Sequence, residues 1–241
     1  MKIRIEKTES EFDLAAAWCI TAQMLTQPES VIGLSTGRTT GNMHRLTARI
    51  HREFPFDVSG TTIAGLDEVA GLPYGFPGTC REMLRTEIAE DLGIGEDNFL
   101  MLPVSSDDYE RDCREFTREI ERRGGLSLLM LGVGENGHLG FNQPGSPFDS
   151  GCRLSRMHPE LESRLREEAS LSVDCPMGGV TLGISDIMKA GRIILVAKGD
   201  NKAGIVRRML EGPVTESVPA SVLQLHPNCE VLLDGAAASL L

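Results

Sequence analysis

Residues 126 to 145 read Leu-Ser-Leu-Leu-Met-Leu-Gly-Val-Gly-Glu-Asn-Gly-His-Leu-Gly-Phe-Asn-Gln-Pro-Gly. An apolar run, Leu126 to Leu131, stops abruptly in glycines, and a short run of this kind reads as a buried strand. Asn136, His138 and Gln143 follow it closely. In open α/β sheets, ligands bind just beyond the carboxyl ends of parallel strands. A histidine in that place titrates near neutral pH and is suited to moving protons.

On either side of this stretch, strand and helix signals alternate. Ile3 to Ile5, Val31 to Leu34, Thr61 to Leu66, Ile193 to Ala197 and Glu230 to Leu233 read as strands. Apolar residues at helical spacing predict helices over Glu9 to Gln27, Thr39 to Phe54, Thr79 to Leu92, Asp107 to Arg123 and Asn201 to Glu211. From Asn142 to Gly179 the pattern is irregular, with one short charged helix around Pro159 to Ala169. Strands separated by helices of this length imply parallel pairing through right-handed crossovers. No internal repeat, linker or low-complexity tract divides the chain, so residues 1–241 read as a single doubly wound α/β domain, mainly parallel, with helices on both faces.

Composition narrows the function. Twenty-four Lys and Arg against 35 Asp and Glu give a formal charge of −11, and no basic stripe marks a nucleic-acid surface. The six cysteines form no C-x-x-C pair and read as reduced thiols. The first residues suit a strand rather than a signal peptide, and no run approaches the roughly 18 apolar residues of a membrane span. The expected address is the cytoplasm, with neither nucleic acid nor membrane as partner.

Four motifs sit at separate strand ends. Ser35-Thr36-Gly37-Arg38-Thr39-Thr40 leads from a strand into a helix, where free N–H groups and the helix dipole favour an anion. It lacks the Gly-Lys-Ser/Thr ending of a P-loop, and an ordinary turn with threonine caps is its plain alternative. At Asp67-Glu68, strand alternation sends one carboxylate toward a ligand and the other away. The facing one is a candidate general base, although a solvated or helix-capping acid is the simpler reading of such a pair.

Gly132 to Gly137 matches G-x-G-x-x-G, but His-Leu-Gly-Phe-Asn-Gln-Pro-Gly cannot open the helix that a dinucleotide site requires. Lys202, in the first turn of a helix after Gly199-Asp200-Asn201, opposes the helix dipole and makes sense beside a bound anion. The five histidines show no metal-ligand spacing, and no G-x-S-x-G elbow is present. Neither metal nor cofactor is called for. Together the motifs describe a phosphate cradle, a carboxylate base and a histidine, suited to proton transfer on a phosphorylated small molecule.

At these residues the chain resembles the glucosamine-6-phosphate deaminase and 6-phosphogluconolactonase superfamily over nearly its whole length. The stretch Leu131 to Gly145 looks like the amino-sugar deaminase branch, whereas lactonases typically show Asp-Gly-His followed by Thr-Ala-Ser. Phe76-Pro77-Gly78-Thr79-Cys80-Arg81-Glu82, Val180 to Gly183 and Pro219-Ala220-Ser221 look like bacterial galactosamine-6-phosphate isomerase/deaminases. The resemblance implies a Rossmann-like fold. It also implies aldose–ketose isomerisation of a hexosamine 6-phosphate, galactosamine favoured and glucosamine next, with loss of ammonia and no cofactor.

By the same resemblance, His138 would open the sugar ring, oriented by Asn136, and Asp67 would carry a proton from C2 to C1. Ser35, Thr36, Gly37, Thr39 and Lys202, with Arg164 or Arg166, would hold the substrate and its phosphate. Members occur as monomers and hexamers, so a homo-oligomer is compatible with the sequence.

One departure stands out: Gln143 occupies the place of the family's glutamate. Glutamine accepts a hydrogen bond but brings no charge, so His138 is expected to have a lowered pKa and to open rings more slowly. The competing readings are a lactonase, which would need no C2 base, and a sugar-phosphate sensor without catalysis, supported only by Gln143.

Overall fold

The computed structural model describes residues 1–241. Seven strands form the main sheet: β1 (Lys2–Glu6), β2 (Val31–Leu34), β3 (Thr62–Gly65), β5 (Phe99–Leu100), β6 (Leu126–Gly132), β9 (Ile193–Ala197) and β10 (Cys229–Asp234). Their order is β1-β10-β9-β6-β2-β3-β5, and every neighbouring pair is parallel. The mainly parallel α/β fold expected from the alternation of signals is therefore present.

The apolar runs are explained by burial on both faces. Along β6, Leu129 and Leu131 enter one core with Ile193, Leu195 and Leu233, while Leu128 and Met130 enter the other with Ile194, Val196 and Leu232. The first core is closed by α5 (Tyr109–Arg122) and α8 (Ala203–Glu211) through Phe116, Ile120, Ile205 and Val206. The second is closed by α1 (Glu9–Thr26) and α2 (Gly41–Glu53) through Phe12, Ile20 and Met43. Helix α1 starts where the sequence says it should, because Thr8 and Glu11 form a reciprocal capping box.

Two expectations are corrected. The stretch 142–179 is not irregular around one helix: beside α6 (Pro159–Glu168) it contains β7 (Arg153–Ser155) and β8 (Gly178–Thr181). With β4 (Asp67–Ala70) these make a second, antiparallel sheet in the order β4-β8-β7. Its glycines hid β8 from any propensity argument. Gly179 is required there by packing, since a Cβ would stand 2.0 Å from Cγ of Phe141.

The second correction concerns Asp67, which does not end the strand of residues 61–66. The chain changes sheets at Leu66, whose N–H bonds to Leu34 of β2 and whose carbonyl accepts from Leu182 after β8. Asp67 is thus the first residue of β4.

The helix expected over residues 79–92 is α3 (Cys80–Leu84), a π-helical turn over Arg85–Ala89 and α4 (Glu90–Leu92). Elements too short for periodicity to reveal are β5, α7 (Ile184–Ile187) and the 3₁₀ segment Pro219–Leu225. No helix is long and apolar enough to cross a membrane.

Candidate active site

The loop between β2 and α2 has the properties of an anion cradle. The backbone N–H groups of Thr36, Gly37, Arg38 and Thr39 take no hydrogen-bond partner from the rest of the chain. Helix α2 begins without a side-chain cap and without an acid in its first turn, leaving its positive end uncompensated. Gly37, at φ +137°, adopts a backbone that L side chains resist, and no atom lies within 4 Å of the position a Cβ would take. Ser35 is buried and clamps two strand ends together, its Oγ accepting from the Gly132 N–H at 3.0 Å. The Thr36 hydroxyl donates to Cys80 Sγ at 3.1 Å, so its side chain is engaged beneath the loop.

After β6 the chain folds back over itself, and His138 lies flat against Gly134, where a Cβ would stand 2.0 Å from the imidazole Cε1. The hydrogen bonds around this histidine define its tautomer. Asn136 Oδ1 accepts the His138 backbone N–H at 3.1 Å, which identifies that atom as oxygen. The same atom lies 2.7 Å from His138 Nδ1, so Nδ1 carries the proton and Nε2 keeps its lone pair. Asn136 Nδ2 in turn donates to Gln143 Oε1 at 3.1 Å.

The loop is braced from outside: Ala220 N–H reaches the Gly137 carbonyl and Gly145 N–H the Glu216 carbonyl. Burial, with the positive charges of Lys202 and His158 nearby, pushes the His138 pKa down to about 4.

Asp67 and Glu68 divide as strand alternation requires. Glu68 is fully buried and accepts from the N–H groups of Val69 (2.7 Å), Cys80 (2.9 Å) and Arg81 (2.8 Å), so it holds the start of α3. Asp67 is 9% exposed and faces the His138 loop: a side chain at Gly140 would come within 3.2 Å of its Oδ2. Burial, and then the charge of Glu68, raises the Asp67 pKa to about 7, while a hydrogen bond from Cys80 at 3.6 Å works the other way. Thr181 of β8 pairs in register with Asp67, and its Oγ1 accepts from Phe141 N–H, so the second sheet carries both the carboxylate and the loop.

Lys202 is half-buried, just before α8. Burial, with Arg38 adding repulsion, lowers its pKa, against the pull of Glu135, whose Oε1 accepts from Asn201 Nδ2 at 2.6 Å. Lys202 and Arg38 therefore bring positive charge together beside the neutral His138 and the loop whose N–H groups stand free.

The structure brings together Asp67, Asn136, His138, Gln143, Lys202 and the loop holding Ser35, Thr36, Gly37 and Thr39. It makes no such link for the two arginines. Arg166 is taken by Glu162 (2.7 Å) and the Ser172 carbonyl (2.7 Å), and Arg164 is exposed beside Glu168. Sequence reasoning missed Arg38, His158 and Cys80, whereas Glu68 is the helix-capping partner that strand alternation turned away from the ligand side. Arg38 stood inside the quoted loop without an assigned role, whereas nothing along the chain linked residue 80 or 158 to the site.

The family model for glucosamine-6-phosphate isomerases/6-phosphogluconolactonase matches residues 8–232. A glucosamine-6-phosphate deaminase of Halothermothrix orenii is 33% identical over 241 residues, covering 100% of both chains. That of a Geobacillus species is 34% identical over 240 residues, covering 100% of this chain and 96% of the relative. Among solved structures, a monomeric glucosamine-6-phosphate deaminase superposes with a TM-score of 0.92 at 30% identity, covering 100% of both chains. The 6-phosphogluconolactonase of Trypanosoma brucei shares the fold, with a TM-score of 0.76 at 19% identity over 100% of this chain and 98% of that one.

Proposed function

Since the chain belongs to the glucosamine-6-phosphate isomerase/6-phosphogluconolactonase family, we infer that it is a hexosamine-6-phosphate isomerase/deaminase, with residues 1–241 acting as one domain. The phosphate docks on the free N–H groups of residues 36–39, with Ser35 and Thr39 at the rim and Lys202 and Arg38 supplying charge. His138 Nε2, neutral and unprotonated, takes the proton of the anomeric hydroxyl and returns it to the ring oxygen, opening the sugar. Asn136 and Gln143 keep the imidazole in that tautomer.

Asp67 then removes the proton from C2 of the open aldose and delivers it to C1. The resulting ketose imine adds water and releases ammonia, leaving a ketose 6-phosphate. A carboxyl group poised at about 7 suits a residue that must both take and give a proton near neutral pH.

The observation that carries this reading is the shared wall. The loop presenting His138 continues through Gly140 past the Asp67 carboxylate, so the two proton carriers, pushed in opposite directions, face one substrate. Galactosamine 6-phosphate is favoured on the Phe76–Glu82 block, while the relatives' names support the hexosamine class. The deciding experiment supplies each hexosamine 6-phosphate and measures ammonia and ketose. Release from neither, with phosphosugar binding retained, would leave a sensor. Asp67→Asn separates the deaminase from a lactonase: it should abolish ammonia release, about 10³-fold, while a lactone-opening activity would survive it.

A further inference from the structure

We propose that Cys80 is a positioning residue for the proton carrier, the middle member of a directed hydrogen-bond chain Thr36–Cys80–Asp67. The proposal rests on Asp67 being the C2 base of the hexosamine-phosphate reaction.

The geometry assigns the direction of the chain. Thr36 Oγ1 lies 3.1 Å from Cys80 Sγ, and Sγ lies 3.6 Å from Asp67 Oδ1. An ionised carboxylate has no proton to offer, so the thiol donates to Asp67 and its sulfur accepts from Thr36. A thiol has one proton, and here that proton has one destination.

The sulfur is held in place by its backbone. Glu68, the residue after Asp67, accepts the N–H groups of both Cys80 and Arg81, so α3 is tied to the strand that carries the base. Cys80 is 6% exposed, and burial raises its own pKa well above the ordinary thiol value, so it stays protonated as a donor.

The ionisable groups acting on Asp67 are Glu68, on its own strand, and Cys80, from α3. The Oδ2 side meets Gly140 of the His138 loop and the register partner Thr181, neither of them charged. Burial and Glu68 both favour the protonated acid. The thiol is the single donor that favours the ionised base, and by engaging Oδ1 it leaves Oδ2 turned toward the loop. Thr36 belongs to the loop whose N–H groups form the cradle, so one chain of hydrogen bonds joins the phosphate site to the base.

The test is a ¹³C carboxyl NMR titration of Asp67 in the ligand-free protein, assigned with Asp67→Asn. It is run on the parent, Cys80→Ala, Cys80→Ser and Thr36→Val, alongside pH profiles of ammonia release. Cys80→Ala should move the Asp67 midpoint upward by roughly half a pH unit, and the acid limb of kcat/KM with it. Cys80→Ser, with a stronger donor, should lower the midpoint below that of the parent, and Thr36→Val should move it upward by less than Cys80→Ala.

Should Cys80→Ala fail to fold, Cys80→Ser decides alone by its downward displacement. Midpoints unchanged in all three variants would overturn the chain. Midpoints that move in a protein inert toward both hexosamine 6-phosphates would sustain the chain and sink the deaminase reading instead.

Discussion

Burial treats the two side chains proposed as proton carriers oppositely. It raises the Asp67 carboxyl to about 7 and lowers the His138 imidazole to about 4. In the folded protein Asp67 retains a proton that the unfolded chain has lost, so its contribution to stability falls as pH rises from about 4 to 7. His138 has already lost a proton that the unfolded chain keeps, so its contribution rises from about pH 4 to 6.5 and is absent below. The two largely cancel between pH 4 and 6.5, and above 7 the cost of the buried carboxylate stands alone. Asp67→Asn should therefore stabilise the protein by about 1–3 kcal/mol at pH 8 and much less at pH 5, as read by urea denaturation. Equal effects at both pH values would contradict the raised carboxyl.

At position 143, glutamine keeps the hydrogen-bond direction of the Asn136–His138 pair without a charge. Gln143→Glu should raise the His138 midpoint by roughly one to three pH units and speed ring opening, measured on substrate held in the closed form. An unchanged rate would show that the lost charge is immaterial.

Helix ends do most of the placing. The uncapped start of α2 leaves the N–H groups of the proposed phosphate cradle free, and Lys202, at the start of α8, feels the charge of Arg38 in the same loop. A charge-assisted contact to phosphate contributes about 1.5–3 kcal/mol, so Lys202→Ala should raise KM roughly 10–100-fold with a smaller change in kcat. A matching loss in kcat alone would place Lys202 in the chemistry rather than in binding. At the start of α3 the Thr79 hydroxyl caps the Glu82 N–H, and Glu68 satisfies two further backbone donors there and one on its own strand. Glu68→Ala leaves buried donors unpaired, and a loss of about 2–4 kcal/mol is expected in chemical denaturation. Ammonia release should fall as well, because Cys80 and the base lose their common anchor.

Across the molecule, the candidate site lies where a seven-stranded parallel sheet meets a three-stranded antiparallel one. The small sheet supplies Asp67 and Thr181, and the large one supplies the strand ends of β2 and β6. Leu66 is bonded to both, so melting either sheet should release the other. A calorimetric scan is expected to show one transition, and two resolved transitions would separate the units. The parallel sheet was legible because its strands are apolar on both faces, a property written into consecutive residues such as Leu126 to Leu131. The glycine-ended loops, with Ser35, Thr36, Gly37, Asn136 and His138, were legible for a related reason, since turn chemistry and helix-start chemistry are local. The second sheet was not. Gly178 and Gly179 carry no strand propensity, and β8 forms only because β4, β7 and Phe141 are brought against it. Nor could the chain announce that a thiol at position 80 would touch a carboxylate at 67, or that Arg166 would spend its charge on Glu162. Periodicity and turn signals reach a few residues along the backbone. Hydrogen-bond direction, burial and charge repulsion act between residues that meet only after folding.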